Sequence, residues 1–294
     1  MIYHIENDQF KIQVKEAGAE LCSIKSLTTG REYIWQANPD VWNGSAPVLF
    51  PVIGRLKEGK YSYDGKTYEM ARHGFVRNNP KVKLINRTSS RLSFVLSSSE
   101  ETLKSYPFKF DLKVSFFLFE NKLQVFHEVV NMNEEPMHFG IGAHPAFNCP
   151  WMDGESYDDY FIEFERNENA SVFEVKSSGL LGRKEIPFLN NTNKMELSHE
   201  LFQRDVKIFT ELNSSEVSIK SSKNKGKISI NFDDFPFLGI WAKTNGDFVC
   251  IEPWDGLPDY ENTDKDFKTK SGNVNLQPGN THYASYTIQI FEPD

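Results

Sequence analysis

Cysteine and long apolar runs are both scarce in this sequence. Its 294 residues include three cysteines, Cys22, Cys149 and Cys250, whose odd number and wide spacing predict neither a disulfide framework nor a paired-cysteine zinc site. The densest apolar stretches, such as SFFLF at 115–119, are far too short to span a bilayer. The N-terminus lacks a basic region followed by an apolar run, so no signal peptide is predicted. These features favour a cytoplasmic protein without a membrane partner.

Positive charge is also in deficit. Lys and Arg total 33 against 41 Asp and Glu, which gives a formal net charge of −8 at pH 7, and no block of like charge stands out. Nucleic-acid binding depends on clustered cations that neutralise phosphates, so nucleic acid is not expected as a partner. The sequence contains no P-loop, no dinucleotide-binding fingerprint and no serine-hydrolase nucleophile elbow. A nucleotide cofactor is therefore not expected.

Aromatic residues are abundant, with 24 Phe, 11 Tyr and 5 Trp, and aromatics favour strands. Apolar and polar residues alternate with a period of two in many short segments, which is typical of half-buried strands. The clearest of these segments are 10–14, 91–96, 112–119, 123–130, 217–220, 228–232, 248–251 and 283–291. The sequence therefore predicts an all-β protein.

Turn signals separate these segments. Asp64-Gly65 predicts a tight hairpin, because glycine accepts the positive φ of such a turn. Segments 102–105 and 198–203 each predict one short helix at most, and 177–199 is polar and irregular enough to predict a long loop with little internal hairpin structure. Many short strands with frequent turns favour a sandwich or barrel. At this length we predict one domain over residues 1–294, a large antiparallel β-sandwich.

Glu252 is the sharpest functional signal. It lies in FVCIEPWDG, where strand parity puts Phe248, Cys250 and Glu252 on one face. A carboxylate at the end of an apolar strand is costly to bury unless it is paired or used. Pro253 cannot donate to a ladder, so we predict that the strand ends there. The structural alternative is a solvated glutamate or one held in an ion pair.

Two histidines lie in similarly unusual segments. His144 follows a run of small residues in HFGIGAHPAFNCP, and Pro145 favours an extended backbone before it. His73 lies in ARHGFVRN, beside a glycine that permits a tight turn. For His144 the alternative is a hydrogen-bonded core histidine. His144, Cys149 and Cys250 as metal ligands match no ordinary zinc spacing, so no metal is predicted.

Three segments together resemble one family. VLFPVIGRLKEGKYSYDGKTYEMARHGFVRN, MHFGIGAHPAFNCP and FLGIWAKTNGDFVCIEPWDG occur in the order seen in the aldose 1-epimerase (galactose mutarotase) family, and most resemble its LacX-like branch. The resemblance covers nearly the whole chain. It implies a large β-sandwich with a sugar cleft, an isomerase activity on an aldose, and no metal or cofactor.

The resemblance also implies roles for individual residues. Glu252 matches the catalytic base, His144 the catalytic acid, His73 the second active-site histidine and Arg55 the substrate-binding arginine. Asp205 in RDVKIF matches the aspartate that holds sugar hydroxyls. In the same role, the rival candidates are Asp233 and Asp234 in NFDDFPF. Galactose-specific members carry an NHSYFN-like sequence where this chain has AHPAFN, so a galactose preference is not implied.

Three alternative functions stay open from the sequence. A hexose-phosphate 1-epimerase would need a basic pocket, for which Arg72, Arg77 and Lys57 are candidates. A non-catalytic sugar-binding protein would bind without anomer exchange. A glycosidase generally needs two carboxylates, and only Glu252 lies in a convincing motif. Candidates for stacking on the sugar are Trp35, Phe75 and Trp254.

The chemistry sets a geometric expectation for His144 and Glu252. If they act on one sugar, both side chains lie on the same open face of the sheet, with His73 and Arg55 lining it. We expect the two groups not to bond to each other, so that the sugar fits between them within hydrogen-bond reach of each.

Overall fold

Strands make up most of the regular structure in the computed structural model, which describes residues 1–203, 205–209 and 211–293. The strands are β1 (Ile2–Glu6), β2 (Phe10–Lys15), β3 (Glu20–Ser26), β4 (Val48–Leu49), β5 (Lys60–Tyr63), β6 (Lys66–Glu69), β7 (Lys83–Arg87), β8 (Arg91–Ser97), β9 (Phe110–Phe119), β10 (Lys122–Asn131), β11 (Met137–Phe139), β12 (Ile141–Ala143), β13 (Ala146–Asn148), β14 (Tyr160–Glu168), β15 (Ser171–Val175), β16 (Leu181–Pro187), β17 (Thr192–Glu196), β18 (Lys207–Phe209), β19 (Glu216–Ser221), β20 (Lys227–Asn231), β21 (Phe237–Trp241), β22 (Phe248–Asp255), β23 (Val274–Leu276) and β24 (Thr281–Phe291). The helices are α1 (Glu100–Ser105) and short 3₁₀ turns at Ala17–Ala19, Lys57–Gly59, Tyr157–Asp159 and His199–Phe202.

Two large antiparallel sheets form the body of the described structure. The nine-stranded sheet has the order β17-β14-β19-β20-β24-β10-β9-β8-β7. The eight-stranded sheet has the order β16-β15-β18-β21-β22-β12-β4, and β13 also pairs with β22. Three smaller sheets, β1-β2-β3, β5-β6 and β11-β23, flank them.

Aromatic contacts join the two large sheets. Phe50, which follows β4 of the eight-stranded sheet, lies 5.0 Å from Phe110 of β9, centroid to centroid. Phe164 of β14 lies 5.6 Å from Phe209 of β18. All four side chains are buried in one apolar cluster that draws residues from both sheets. The predicted β-sandwich is therefore confirmed, with its core between the sheets.

The periodicity and turn predictions hold for most of the chain. Seven of the eight alternating segments lie within strands, and the eighth, 228–232, extends one residue past the end of β20. The Asp64-Gly65 turn joins β5 to β6 with φ of 49° and 74°. Segment 102–105 lies in α1, whose first turn is capped by Ser99 through a reciprocal bond pair with Thr102. No helix in the described part of the chain is long and apolar enough to cross a membrane. The assignment of residues 1–294 to one domain stays a prediction.

The predicted loop at 177–199 is wrong, because that stretch contains β16 and β17. Each has one neighbouring strand, β15 for β16 and β14 for β17, so both are edge strands of the large sheets, and β16 adds a single bridge from Leu181 to Tyr260. Most of their side chains are exposed or half-buried. Such strands carry no apolar alternation, which is why the sequence pattern does not reveal them.

The prediction that Pro253 ends its strand is also wrong, because β22 continues to Asp255. Pro253 lies opposite Leu238 of β21. On its other side, β22 pairs with β13 at Cys250 and with β12 from Trp254 onward. Between these points the described residues form no ladder pair, and a single backbone bond, from the N–H of Ile251 to the oxygen of Pro145, links the two segments. Proline lacks the backbone N–H that a ladder needs, and this break tolerates it.

Candidate active site

The break in the ladder beside β22 brings His144 and Glu252 together. On either side of it the register pairs Gly142 with Trp254 and Ala146 with Cys250. Continuing that register across the break places His144 directly opposite Glu252. Side chains opposite each other on antiparallel strands share a face and lie close together. Two residues far apart in sequence thus become neighbours through strand pairing.

Their shared face points away from the sandwich core. Val249 and Ile251 alternate with Glu252 along β22 and enter the core between the sheets. Glu252 therefore lies on the outer face, as do Cys250 and Trp254. The predicted parity is confirmed. Loops cover this outer face so fully that Glu252 is only 1% exposed.

Small residues beside β22 make room for the Trp254 side chain. A methyl group added to Gly142 would lie 2.7 Å from Cδ1 of Trp254, and one added to Gly239 would lie 3.1 Å from its Cζ2. The small-residue run before His144 thus serves close packing. The group that approaches is a tryptophan ring that also lines the site.

His144 and Glu252 are in direct contact. Nε2 of His144 lies 3.3 Å from Oε2 of Glu252, so the predicted space for a sugar between the two groups is wrong, although no hydrogen bond joins these two atoms. His144 is 6% exposed and stacks on Trp42, with ring centroids 5.0 Å apart. It meets Trp241 edge-on, with ring centroids 5.7 Å apart. Nδ1 of His144 and Oε2 of Glu252 have no hydrogen-bond partner among the described residues. Two buried polar groups are thus held close, with bonding capacity left for a ligand.

A tight backbone crossing positions His73. Its ring lies edge-on to that of His144, with centroids 5.7 Å apart. The backbone N–H of Gly54 donates to Nδ1 of His73 over 3.1 Å. Nε of Arg72 donates to Nε2 of the same ring over 3.1 Å. A neutral imidazole accepts at one nitrogen only, so these two donors compete for the single acceptor of His73. A ligand that draws Arg72 away would leave Nε2 free to bond at the site.

Gly74 makes that crossing possible, and its replacement gives a stability prediction. It has φ of 77°, and a methyl group there would lie 2.0 Å from the backbone oxygen of Phe50. We expect Gly74→Ala to lower the free energy of unfolding by about 3 kcal/mol or more, because strain and a backbone clash add. Urea titration followed by circular dichroism measures the change.

Gly65 provides the matched control for this variant. Its φ is 74°, but nothing lies within 4 Å of an added methyl group. Gly65→Ala should therefore show only the cost of the left-handed backbone, about 1 kcal/mol. Equal unfolding midpoints for the two variants would contradict the packing argument for Gly74.

Two connected spaces open above the pair. The inner cavity, lined by Arg55, Arg72, His73, His144, Asp205 and Glu252 among others, holds only about 20 Å³, room for roughly one water molecule. The outer cleft, lined by Arg72, Lys176, Asp205, Trp241 and Lys243 among others, has a volume of about 730 Å³. Both spaces share Arg72, Asp205 and Trp241. The inner cavity is thus the floor of a larger cleft.

The structure separates the three candidate aspartates. Asp205 lines both spaces, with a backbone φ of 81°. Asp234 accepts hydrogen bonds from the backbone and hydroxyl of Ser285 in the nine-stranded sheet, and Asp233 is exposed on the same turn. Only Asp205 of the three faces the cavity that contains Glu252.

Of the three aromatic residues proposed to stack on the sugar, one lines the site. Trp254 lines the inner cavity, whereas Trp35 packs on Phe248 and Phe75 packs in the sandwich core. The sequence did not single out Trp42 and Trp241, which flank His144.

Of the three basic residues, Arg72 lines both spaces. Arg77 donates to Asn43 and lies over the Trp42 ring. Lys57 lines neither space, and its backbone N–H donates to Asp259. The basic pocket suggested by the sequence is thus reduced to Arg72 among these candidates.

Burial moves the pKa values of the pair in opposite directions. It raises the pKa of Glu252 well above its ordinary value, an effect that the positive charge of Arg72 partly offsets. Burial, reinforced by Arg72, lowers the pKa of His144 to about 3. The pKa of His73 is also lowered, by loss of water and by the neighbouring His144. At any pH between these two pKa values, His144 and Glu252 together hold one proton.

Cys250 lies beside the pair. Donor atoms of His144, Cys250 and Glu252 all lie within 4.8 Å of one another. Burial raises the pKa of the Cys250 thiol well above its usual range, which favours the neutral thiol over the thiolate that binds metals. Absence of a metal from the reaction stays a prediction.

The family model for aldose 1-epimerase matches residues 1–289 of this chain. The chain belongs to the aldose 1-epimerase family. Two curated proteins of Lactococcus lactis subsp. lactis, the plasmid and chromosomal forms of protein LacX, are each 35% identical to it over 300 residues, with 99% of both chains covered. The resemblance to the LacX-like branch is therefore confirmed.

Solved structures of this aldose 1-epimerase family have the same fold. A galactose mutarotase related enzyme from Lactobacillus acidophilus has a TM-score of 0.94 and 38% identity, covering 99% of this chain and 98% of its own. A galactose mutarotase-like protein from Lactobacillus casei has a TM-score of 0.93 and 30% identity, covering 99% of this chain and all of its own, 100%. The sandwich is thus of the galactose mutarotase-like type.

Proposed function

We propose that this protein is a cytoplasmic aldose 1-epimerase that interconverts the α and β anomers of a hexose by opening and reclosing the sugar ring. The observation that carries the proposal is the 3.3 Å contact between Nε2 of His144 and Oε2 of Glu252 at the floor of an open cleft. Family membership supports the same reaction.

The closeness of the two groups suits the chemistry of a hemiacetal. The hydroxyl oxygen O1 and the ring oxygen O5 are bonded to the same carbon, C1, so the groups that serve them must be neighbours. Glu252 takes the proton of O1 while His144 gives one to O5. The C1–O5 bond breaks as the C1 carbonyl forms. Rotation about the C1–C2 bond presents the other carbonyl face, and the proton transfers then reverse to close the ring.

The proton count of the pair fits this cycle. Ring opening requires a carboxylate on Glu252 and an imidazolium on His144, which together hold one proton. The open-chain stage leaves Glu252 protonated and His144 neutral, again with one proton in total. The opposing pKa shifts keep that number over a wide pH range and place the proton on Glu252 in the free site, so it must pass across the 3.3 Å contact to His144 before ring opening. No proton from solvent is needed within a cycle.

Three further residues would bind and orient the sugar. His73 offers a ring nitrogen and Arg55 its guanidinium to sugar oxygens, and both line the inner cavity. Donors aimed at O5 would stabilise charge that develops there. Asp205, on the wall shared by both spaces, offers a carboxylate to sugar hydroxyls. These assignments rest on position and on the family resemblance.

Anomer exchange in the presence of the protein tests the proposal. We expect the protein to speed the optical-rotation change of freshly dissolved α-glucose or α-galactose in proportion to its concentration, and dialysis against EDTA should leave the rate unchanged. Loss of activity after EDTA and its recovery with zinc would show that a metal takes part. Binding of sugar without any acceleration would favour a non-catalytic sugar-binding protein.

A further inference from the structure

Cations without carboxylate partners surround the cleft. Arg55 and Arg72 line the inner cavity, and Arg72 and Lys243 line the outer cleft. None of the three has a carboxylate oxygen within 4.0 Å of its charged group among the described residues. Lys176, by contrast, is paired with Glu174 over 2.8 Å.

These positive charges act on the site. Loss of water and the neighbouring His144 lower the pKa of His73 most, and the charges of Arg72, Arg77 and Arg55 lower it further. Of these three cations, Arg72 and Arg55 line the inner cavity. The chain as a whole carries a net charge of −8, so a local excess of unpaired cations runs against its overall charge. A neutral aldose needs hydrogen-bond donors but no such excess. Among the described residues that line the outer cleft, Arg72, Lys176 and Lys243 outnumber one carboxylate, Asp205, and such an excess of positive charge attracts an anionic ligand.

We propose that the aldose substrate carries a phosphate group and that Arg72 and Lys243 bind it. This inference rests on the proposed epimerase function. A guanidinium matches phosphate oxygens with paired N–H donors, and a lysine adds a mobile point charge. Arg72 spans both spaces, so it can reach the phosphate while the sugar ring lies over His144 and Glu252.

The chemistry and the shape of the cleft limit where the phosphate sits. A phosphate on O1 would block ring opening, because O1 must lose its proton. The substituent therefore lies on another carbon, and the exocyclic C6 of a hexose is the position that extends farthest from the ring. With C1 at the inner cavity, the outer cleft of about 730 Å³ offers room for this group. The substrate class is a hexose 6-phosphate.

Exchange NMR compares the candidate substrates directly. Anomer exchange is measured for glucose, galactose, their 6-phosphates and glucuronate, whose C6 carries a carboxylate instead. We expect kcat/KM for at least one 6-phosphate to exceed that of the matching neutral sugar by about 10-fold or more, the effect of one charge-assisted hydrogen bond. Equal or faster turnover of the neutral sugar, or a preference for glucuronate, would overturn the phosphate proposal alone. No exchange with any sugar would contradict the epimerase function itself.

Lys243→Met tests the assigned contact. Lys243 is exposed in the turn between β21 and β22, so its loss should leave the melting temperature unchanged. We expect kcat/KM for the 6-phosphate to fall about 10-fold, mainly through KM, and its ratio to the neutral-sugar value to fall equally. Competitive inhibition by inorganic phosphate should weaken in parallel. Lys57→Met, which removes a cation outside both spaces, is the control and should change neither value. An unchanged ratio in Lys243→Met would overturn the assignment.

Discussion

Replacement of Glu252 with glutamine is expected to lower kcat by about 10²- to 10⁴-fold, the range that a positioned general base contributes. Glutamine has nearly the same shape but cannot accept the proton of O1. Glu252 is buried with Oε2 unpartnered among the described residues, and its pKa is raised by burial. A neutral amide should therefore fold without leaving a new buried charge. The anomerisation rate at saturating sugar measures the loss.

Two controls separate chemistry from folding for this variant. Thermal unfolding should show Glu252→Gln at least as stable as the parent protein, because an unpaired buried carboxyl is removed. Glu216→Gln, at the start of β19 in the other large sheet, makes the same chemical change away from the cleft and should keep full activity. Near-parental turnover by a folded Glu252→Gln variant would eliminate Glu252 as the base.

Replacement of His144 with glutamine is expected to reduce kcat by a similar factor, about 10²- to 10⁴-fold. The glutamine amide can donate a hydrogen bond to O5 but cannot transfer a proton to it. Because one proton cycles between His144 and Glu252, the two residues act as a unit, and losses within a unit are not additive. The double variant should therefore be about as slow as either single variant. Multiplication of the two losses would contradict a shared proton.

The pH profile gives this variant a second readout. In the parent protein the pair holds one proton above the lowered pKa of His144, about 3, so the acid limb of kcat/KM should lie there. Below that value both groups are protonated and no base is left. Without His144, Glu252 must lose its own proton to act as base, so the acid limb should move up to its raised pKa. The control His4→Gln, in β1, should keep the parental profile. An unmoved acid limb in His144→Gln would exclude this coupling.

The alternation of apolar and polar residues predicted the strands that pack on the core, but it did not reveal the edge strands of the two large sheets. Alternation at 283–291 predicts β24, because one face of that strand meets the core and the other meets solvent. The polar edge strands β16 and β17 have no such contrast and read as a loop. Pro253 was predicted to end its strand, because the sequence does not show that the strand beside it lacks a ladder partner at that point. Pairing partners, not local composition, decide these cases.

The candidate active site likewise combines residues that the sequence identified with contacts that only the tertiary structure revealed. The sequence by itself pointed to Glu252 and His144, since each interrupts an apolar pattern beside a proline, and resemblance added Arg55, His73 and Asp205. The contact between Glu252 and His144, the choice of Asp205 over its rivals and the position of Lys243 on the cleft came only from the tertiary structure. Strand register and loop crossings join residues that are distant in the chain. A linear pattern records which residues are unusual, whereas the pairing of strands decides which of them meet.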